Sequence, residues 1–111
     1  MRVLTFASLK GGTGKTTLAA HLAVQAQAER ETVVLIDLDA QASLAEWFNE
    51  RKAETPAYAR VSLDKIESTL KTLAEAGYTL AVIDTPATDK RALRAALAMS
   101  DCALIPVRPS P

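Results

Sequence analysis

Four short runs of apolar residues recur along the chain, and stretches with helical spacing separate them. The apolar runs are nearly continuous rather than alternating, which is typical of strands buried on both faces of a parallel sheet. They cover residues 3–7, 32–36, 80–83 and 103–107. Helices are predicted over 15–29, over 42–50, from Ser62 as N-cap to a stop at Gly77, and over 89–99.

Strands that alternate with helices predict an α/β fold, a parallel sheet with helices on both of its faces. Residues 51–59 contain Thr55-Pro56 and are predicted to form a loop, because proline restricts the backbone before it and lacks an N–H. No shift in composition marks a domain boundary inside the chain.

A glycine-rich segment with two lysines follows the first predicted strand and opens the first predicted helix. Glycines let consecutive backbone N–H groups point at a phosphate, and the helix N-terminus adds its partial positive charge. Lys15 would reach the β- and γ-phosphates of a nucleotide, and the Thr16 hydroxyl would bind Mg²⁺. The alternative is a glycine-rich turn with incidental lysines. The segment reads Lys10, Gly11, Gly12, Thr13, Gly14, Lys15, Thr16, Thr17.

Aspartates follow the second and third predicted strands. Asp37 and Asp39 close the second strand, and Asp84 closes the third. Ligands of doubly wound sheets lie beyond the carboxyl ends of the strands, so we expect these carboxylates to converge with the glycine-rich segment. Asp84 would hold Mg²⁺ through a water, and Asp37 would lie close to the metal and Lys15. The alternative role for each aspartate is helix capping.

Composition narrows the functional classes. The 111 residues carry 13 Lys+Arg and 13 Asp+Glu, so the formal net charge is zero and the simplest argument for a nucleic-acid-binding domain is missing. Hydrophobic residues make up 49% of the chain, which argues against intrinsic disorder. One cysteine indicates a reducing compartment, and Cys102 is expected to be a small buried residue. We predict a cytoplasmic protein without a membrane segment.

The glycine-rich segment departs from the general phosphate-loop pattern, because Leu9 stands where the first glycine belongs and Lys10 follows it. This resembles the deviant Walker A motif of the ParA/MinD family of ATPases. The family's D-x-D-P-Q pattern is similar to residues 37–41, with Ala40 in place of proline. Asp84 resembles the Walker B aspartate. The resemblance implies a P-loop NTPase fold with the four predicted strands in the order 2-3-1-4, and it identifies 1–111 as the N-terminal part of a single ATPase domain.

The resemblance also implies an activity. ATP and Mg²⁺ would be the cofactors, and slow hydrolysis would control an ATP-dependent sandwich homodimer that positions or segregates DNA. Lys10 would reach the phosphates bound by the other subunit, and Asp39 would orient the attacking water. A ParB-like adaptor, non-specific DNA and association with the nucleoid are further expectations; membrane binding is not expected. The alternatives are a MinD-like positioning ATPase, a truncated module that binds nucleotide without hydrolysing it, and an inert fragment.

Overall fold

The computed structural model describes residues 1–7, 15–38, 57–85 and 89–104, and at 15–18 and 20 it describes the backbone alone. The predicted helix over 42–50 and residues 105–107 of the last predicted strand lie outside the described residues. The elements are β1 (Arg2–Phe6), α1 (Lys15–Ala28), β2 (Val33–Asp37), β3 (Ala57–Arg60), a 3₁₀ turn (Leu63–Lys65), α2 (Ile66–Glu75), β4 (Leu80–Asp84), α3 (Lys90–Ala98) and β5 (Cys102–Leu104).

The strands form one parallel sheet in the order β3-β2-β4-β1-β5. The α/β class is therefore confirmed, and the four predicted strands lie in their predicted relative order. The sheet has a fifth strand, however, because β3 pairs with β2 outside the predicted set. The prediction of a loop up to residue 59 was wrong at 57–59.

The composition of β3 explains why its strand character was missed. Its sequence Ala-Tyr-Ala-Arg contains two alanines, which are depleted in strands, and its residues are half-buried or exposed rather than forming an apolar run. Among the described strands it pairs with β2 alone, in the register Val34–Ala57 to Asp37–Arg60. The backbone ladder of β2 therefore determines this strand more than its own side chains do.

The helix α1 covers one face of the sheet. It presents Ala19, Ala23 and Ala26 to the sheet, all buried, at a spacing that places them on one side of the helix. They pack with large apolar side chains from the middle strands: Phe6, Val33, Leu35, Leu80 and Val82. Small residues on the helix let its backbone lie close to the strands, so the position of α1 is set by close packing.

The helices α2 and α3 cover the opposite face. Ile66 and Leu70 of α2 and Ala96 of α3 are buried there against strand residues. Those strand residues are Val3, Val34, Ile36, Ala81 and Ile83. The central strands are therefore buried on both faces, which is the reason for their continuous apolar sequence.

Local capping residues determine where α2 and α3 begin or end in some cases and not in others. Asp89 caps α3, since its Oδ1 accepts hydrogen bonds from the backbone N–H of Arg91 at 3.0 Å and of Ala92 at 3.1 Å. Gly77 follows α2 with φ of 102°, a conformation that glycine adopts without steric cost. Ser62 has the extended backbone of an N-cap, but its side chain makes no capping hydrogen bond and a 3₁₀ turn precedes α2.

Cys102 corrects another prediction. It was expected to be buried, and the structure shows it exposed, together with the rest of β5. The reason is topological: within the described part of the sheet, β5 is an edge strand that pairs only with β1. A sequence pattern shows that a strand is apolar, but it does not show which strands will flank it.

Candidate functional site

The sheet topology has a switch point between β1 and β4, where the connections leave on opposite faces. The chain leaves β1 through α1 on one face of the sheet, and it leaves β4 through α3 on the other face. In open α/β sheets, ligands bind at the carboxyl ends of adjacent strands whose connections diverge in this way. The strand ends at this point are Phe6 and Asp84, which are partners in the parallel register.

Two predicted site residues meet at this end of the sheet. Asp37 and Asp84 are register partners on β2 and β4, and both are fully buried. Side chains alternate along a strand, so Asp37 projects to the same face as Leu35, and Asp84 to the same face as Val82. Leu35 and Val82 both pack on the α1 side. The two carboxylates therefore lie side by side on the face that α1 covers.

Backbone and hydroxyl hydrogen bonds hold the strand ends together. Thr85, directly after β4, donates its N–H at 3.3 Å and its Oγ1–H at 2.9 Å to the carbonyl oxygen of Phe6. The N–H of Leu38 donates to the carbonyl oxygen of Asp84 at 3.1 Å. Thr85 is itself 1% exposed. The strand ends that carry the carboxylates are thus fixed to the strand that leads towards the glycine-rich segment.

The helix α1 begins at Lys15, the lysine of the predicted phosphate loop. The chain leaves β1 at this end of the sheet and enters α1 after residues 7–14, and α1 packs on the same face as the two carboxylates. We therefore infer that the N-terminus of α1 lies at this end of the sheet. Four unpaired backbone N–H groups at a helix N-terminus favour an anion. The fold therefore combines a helix start suited to phosphate with carboxylates suited to a cation.

The side chain of Tyr58 contacts Asp37, and the sequence did not predict this contact. Its hydroxyl donates a hydrogen bond of 3.0 Å to Oδ2 of Asp37. Burial, followed by the hydrogen bond and the charge of Asp37, raises the pKa of Tyr58 to about 12. The hydroxyl thus stays protonated and remains a donor at neutral pH. No sequence signal could have identified it, because Tyr58 lies in the segment predicted as a loop.

Most of the other predicted site residues lie outside the described part of the chain. Lys10, Gly11, Gly12, Thr13, Gly14 and Asp39 belong to this group. For Lys15, Thr16 and Thr17 the structure places the helical backbone only. The structure therefore brings Asp37 and Asp84 together on the face that α1 covers, and the roles of the individual side chains remain predictions.

The buried carboxylates suit a hard divalent cation. Charged groups are costly to bury without a compensating charge, and two neighbouring carboxylates add mutual repulsion. Mg²⁺ prefers oxygen ligands and is often bound by one or two carboxylates, substrate phosphates and water. Within the described residues, no group of three or more His, Cys, Asp or Glu side chains could hold a metal, so phosphate, hydroxyl or water oxygens would complete such a shell.

Comparison with known proteins identifies relatives over nearly the whole chain. Residues 4–99 match the family described as the CobQ/CobB/MinD/ParA nucleotide binding domain. The chain is 40% identical, over 116 aligned residues, to the maintenance of carboxysome distribution protein A of Gloeobacter kilaueensis. That alignment covers 99% of this chain and 50% of the relative. The chain thus spans about half the length of this curated relative.

Solved structures support the same relationship. A plasmid partition protein from Borrelia burgdorferi aligns with a TM-score of 0.80 and 26% identity, over 98% of this chain and 66% of that chain. A putative plasmid partition protein from Borrelia burgdorferi B31, bound to AMPPNP, aligns with a TM-score of 0.70 and 26% identity, over 95% of this chain and 62% of that chain.

In the part of the present chain that the structure describes, no helix is long and apolar enough to cross a membrane.

Proposed function

Because the chain belongs to the CobQ/CobB/MinD/ParA nucleotide-binding family, we propose that it binds ATP with Mg²⁺, hydrolyses it slowly and uses this cycle to position cargo. The observation that carries the proposal is the pairing of two buried carboxylates, Asp37 and Asp84, at the carboxyl end of the sheet on the face that α1 covers. The similar plasmid partition protein bound to AMPPNP supports a nucleotide as the ligand.

Each part of the site has a separate task in this proposal. Backbone N–H groups of residues 11–16 and the Lys15 ammonium would bind the phosphates. The Thr16 hydroxyl, Asp37 and Asp84 would hold Mg²⁺, directly or through water. The metal would neutralise phosphate charge as the β–γ bond breaks. Asp39 would orient the water that attacks the γ-phosphate.

Lys10 would act from a second copy of the chain. Reaching the phosphates of the partner subunit, it would stabilise the charge that develops on the γ-phosphate. Its contribution would require both subunits, so hydrolysis and release of the homodimer would be coupled. The resemblance of residues 10–17 to the deviant Walker A motif supports this assignment.

The cargo follows from the relatives. The names of two similar proteins refer to plasmid partition and to carboxysome distribution. We propose a large intracellular cargo, DNA or a protein assembly, reached through a ParB-like adaptor, with non-specific DNA as a surface along which the dimer moves. The need for ATP and the single cysteine favour a cytoplasmic location. Movement along non-specific DNA would associate the dimer with the nucleoid.

A thermal melt with and without ATP and Mg²⁺ tests nucleotide binding. ATP at about 100 times its dissociation constant stabilises a folded chain by about 2.7 kcal/mol, which raises the Tm of a small domain by several degrees. Lys15→Ala should lose this rise. Lys71→Ala, which removes an exposed lysine from α2, is the matched control and should keep it.

Turnover and assembly are tested separately. The rate of phosphate release, and the fraction of dimer that sedimentation measures with ATP, should both fall in Lys10→Ala. Binding of ATP to the monomer should be retained. Binding without turnover in the unmodified chain would instead favour the nucleotide-binding module that does not hydrolyse ATP. An unmodified chain that melts cooperatively but shows no shift with ATP and Mg²⁺ would contradict the proposal.

A further inference from the structure

The hydroxyl of Tyr58 is a polar group at the candidate site that the proposed reaction leaves without a task. Tyr58 lies on β3, and its ring packs beside the apolar cluster on the α1 side of the sheet. Its hydroxyl reaches one strand further, to Oδ2 of Asp37 at 3.0 Å. The residue thus extends from the edge strand to the buried carboxylate.

The register explains why this contact forms. Tyr58 is the partner of Leu35, and Asp37 lies two residues further along β2 on the same face. A diagonal neighbour on the adjacent strand lies within reach of a long aromatic side chain. A phenylalanine at 58 would fill the same space beside Leu35 and would lack only the hydroxyl. Removing this one oxygen atom therefore tests the hydrogen bond while the packing of the ring is kept.

A hydrogen bond to a carboxylate that binds a metal restricts its rotation and fixes which oxygen faces the ion. Such partners outside the ligand shell commonly change metal affinity by about 10- to 100-fold when they are removed. Tyr58 is suited to this task, because it occupies Oδ2 as a neutral donor and adds no charge that would compete with a cation.

We propose that Tyr58 is a positioning residue: its hydrogen bond orients the Asp37 carboxylate for Mg²⁺ in the nucleotide complex. The inference rests on the proposed function. It assigns the edge strand β3 a role in the site although β3 contributes no ligand. Because Tyr58 lies on β3 and β2 separates β3 from β4, this hydrogen bond holds the Asp37 carboxylate from the side away from Asp84.

The test compares Tyr58→Phe with Tyr78→Phe. Tyr78 is half-buried on the opposite face of the sheet, so its variant removes the same atom away from the carboxylates. AMPPNP is held at a fixed concentration, Mg²⁺ is titrated, and binding is followed by Tm and by calorimetry. Mn²⁺ provides a direct second measurement through its electron paramagnetic resonance signal. We expect Tyr58→Phe to raise the half-saturating metal concentration about tenfold, and AMPPNP affinity in EDTA to be unchanged.

A double-mutant cycle identifies the group through which the hydroxyl acts. In an Asp37→Asn background, Tyr58→Phe should cause no further loss of metal affinity, because the carboxylate that it orients is absent. The same tenfold loss in both backgrounds would overturn the inference, as would an equal loss of AMPPNP affinity with and without metal.

The two hypotheses fail in different ways. If the unmodified chain melts cooperatively but AMPPNP and Mg²⁺ do not stabilise it, the proposed function is refuted and the role of Tyr58 with it. If the unmodified chain responds to Mg²⁺ and Tyr58→Phe responds at the same metal concentration, the role of Tyr58 alone is refuted.

Discussion

Replacing Asp84 by asparagine should stabilise the protein in the absence of metal. Asp84 and Asp37 are both fully buried and are register partners on neighbouring strands. Paired side chains of parallel strands are about 5 Å apart, and two unit charges at that distance repel by about 3 kcal/mol at an effective dielectric constant of about 20. Asparagine has nearly the same shape and retains a carbonyl oxygen, so the substitution mainly removes this repulsion.

The expected gain is smaller than the full repulsion. Asp84 also interacts with neighbouring groups, and the variant gives up part of that attraction. We therefore expect the free energy of unfolding in EDTA to rise by about 1–2 kcal/mol, which corresponds to an increase in Tm of about 5–10 °C for a chain of this size. Mg²⁺ should stabilise the unmodified chain with AMPPNP but should stabilise Asp84→Asn much less.

Urea denaturation in EDTA, analysed by linear extrapolation, measures the first effect. Glu67→Gln is the matched control, because it neutralises an exposed carboxylate on α2 and should change stability by no more than about 0.5 kcal/mol. The reasoning is refuted if Asp84→Asn is less stable than the unmodified chain in EDTA. That result would mean that Asp84 is held by net attraction without any metal.

Two further predictions concern the scaffold. Gly77→Ala should destabilise the protein by about 1 kcal/mol, because φ of 102° is unfavourable for alanine while no atom lies within 4 Å of the added Cβ. Chemical denaturation should show a smaller loss of stability for Gly77→Asn, and equal losses for the two variants would contradict a backbone origin. A hydrogen bond from Thr79, together with the charge and hydrogen bond of Arg2, lowers the pKa of Glu31 below 4.5. The stabilising contribution of Glu31 is therefore complete above pH 4.5 and is lost as the pH falls through the folded-state pKa. The free energy of unfolding, measured against pH, should fall less steeply in acid for Glu31→Gln than for the unmodified chain, and an equal fall would contradict this assignment.

The four strands predicted from the sequence are found because their signal is local. A strand covered by helices on both faces must be apolar at nearly every position, as in β2 and β4, so a continuous apolar run is sufficient to predict it. Gly77 and Asp89 likewise act within one or two residues of a helix end, through φ and through a capping hydrogen bond. Patterns of this kind need no knowledge of the rest of the fold.

β3 shows where local signals fail. Its four residues form a strand by pairing with the backbone of β2, on the side that β4 does not occupy, and they do not form an apolar run. Tyr58 was missed for the same reason, since its contact with Asp37 exists only once β3 is in register. The exposure of Cys102 is a similar case, because burial depends on the neighbours that β5 receives.

Local sequence patterns specify the chemical groups of the site: a glycine-rich segment that opens a helix, and aspartates directly after buried strands. Which of these groups meet depends on how the whole chain folds. Insertion of β4 between β1 and β2 makes Asp84 the register partner of both Phe6 and Asp37, residues far from it along the chain. Strand order depends on hydrogen bonds between distant segments and on the packing of helices over both faces of the sheet. The periodicity within a single segment therefore does not predict the order of the strands.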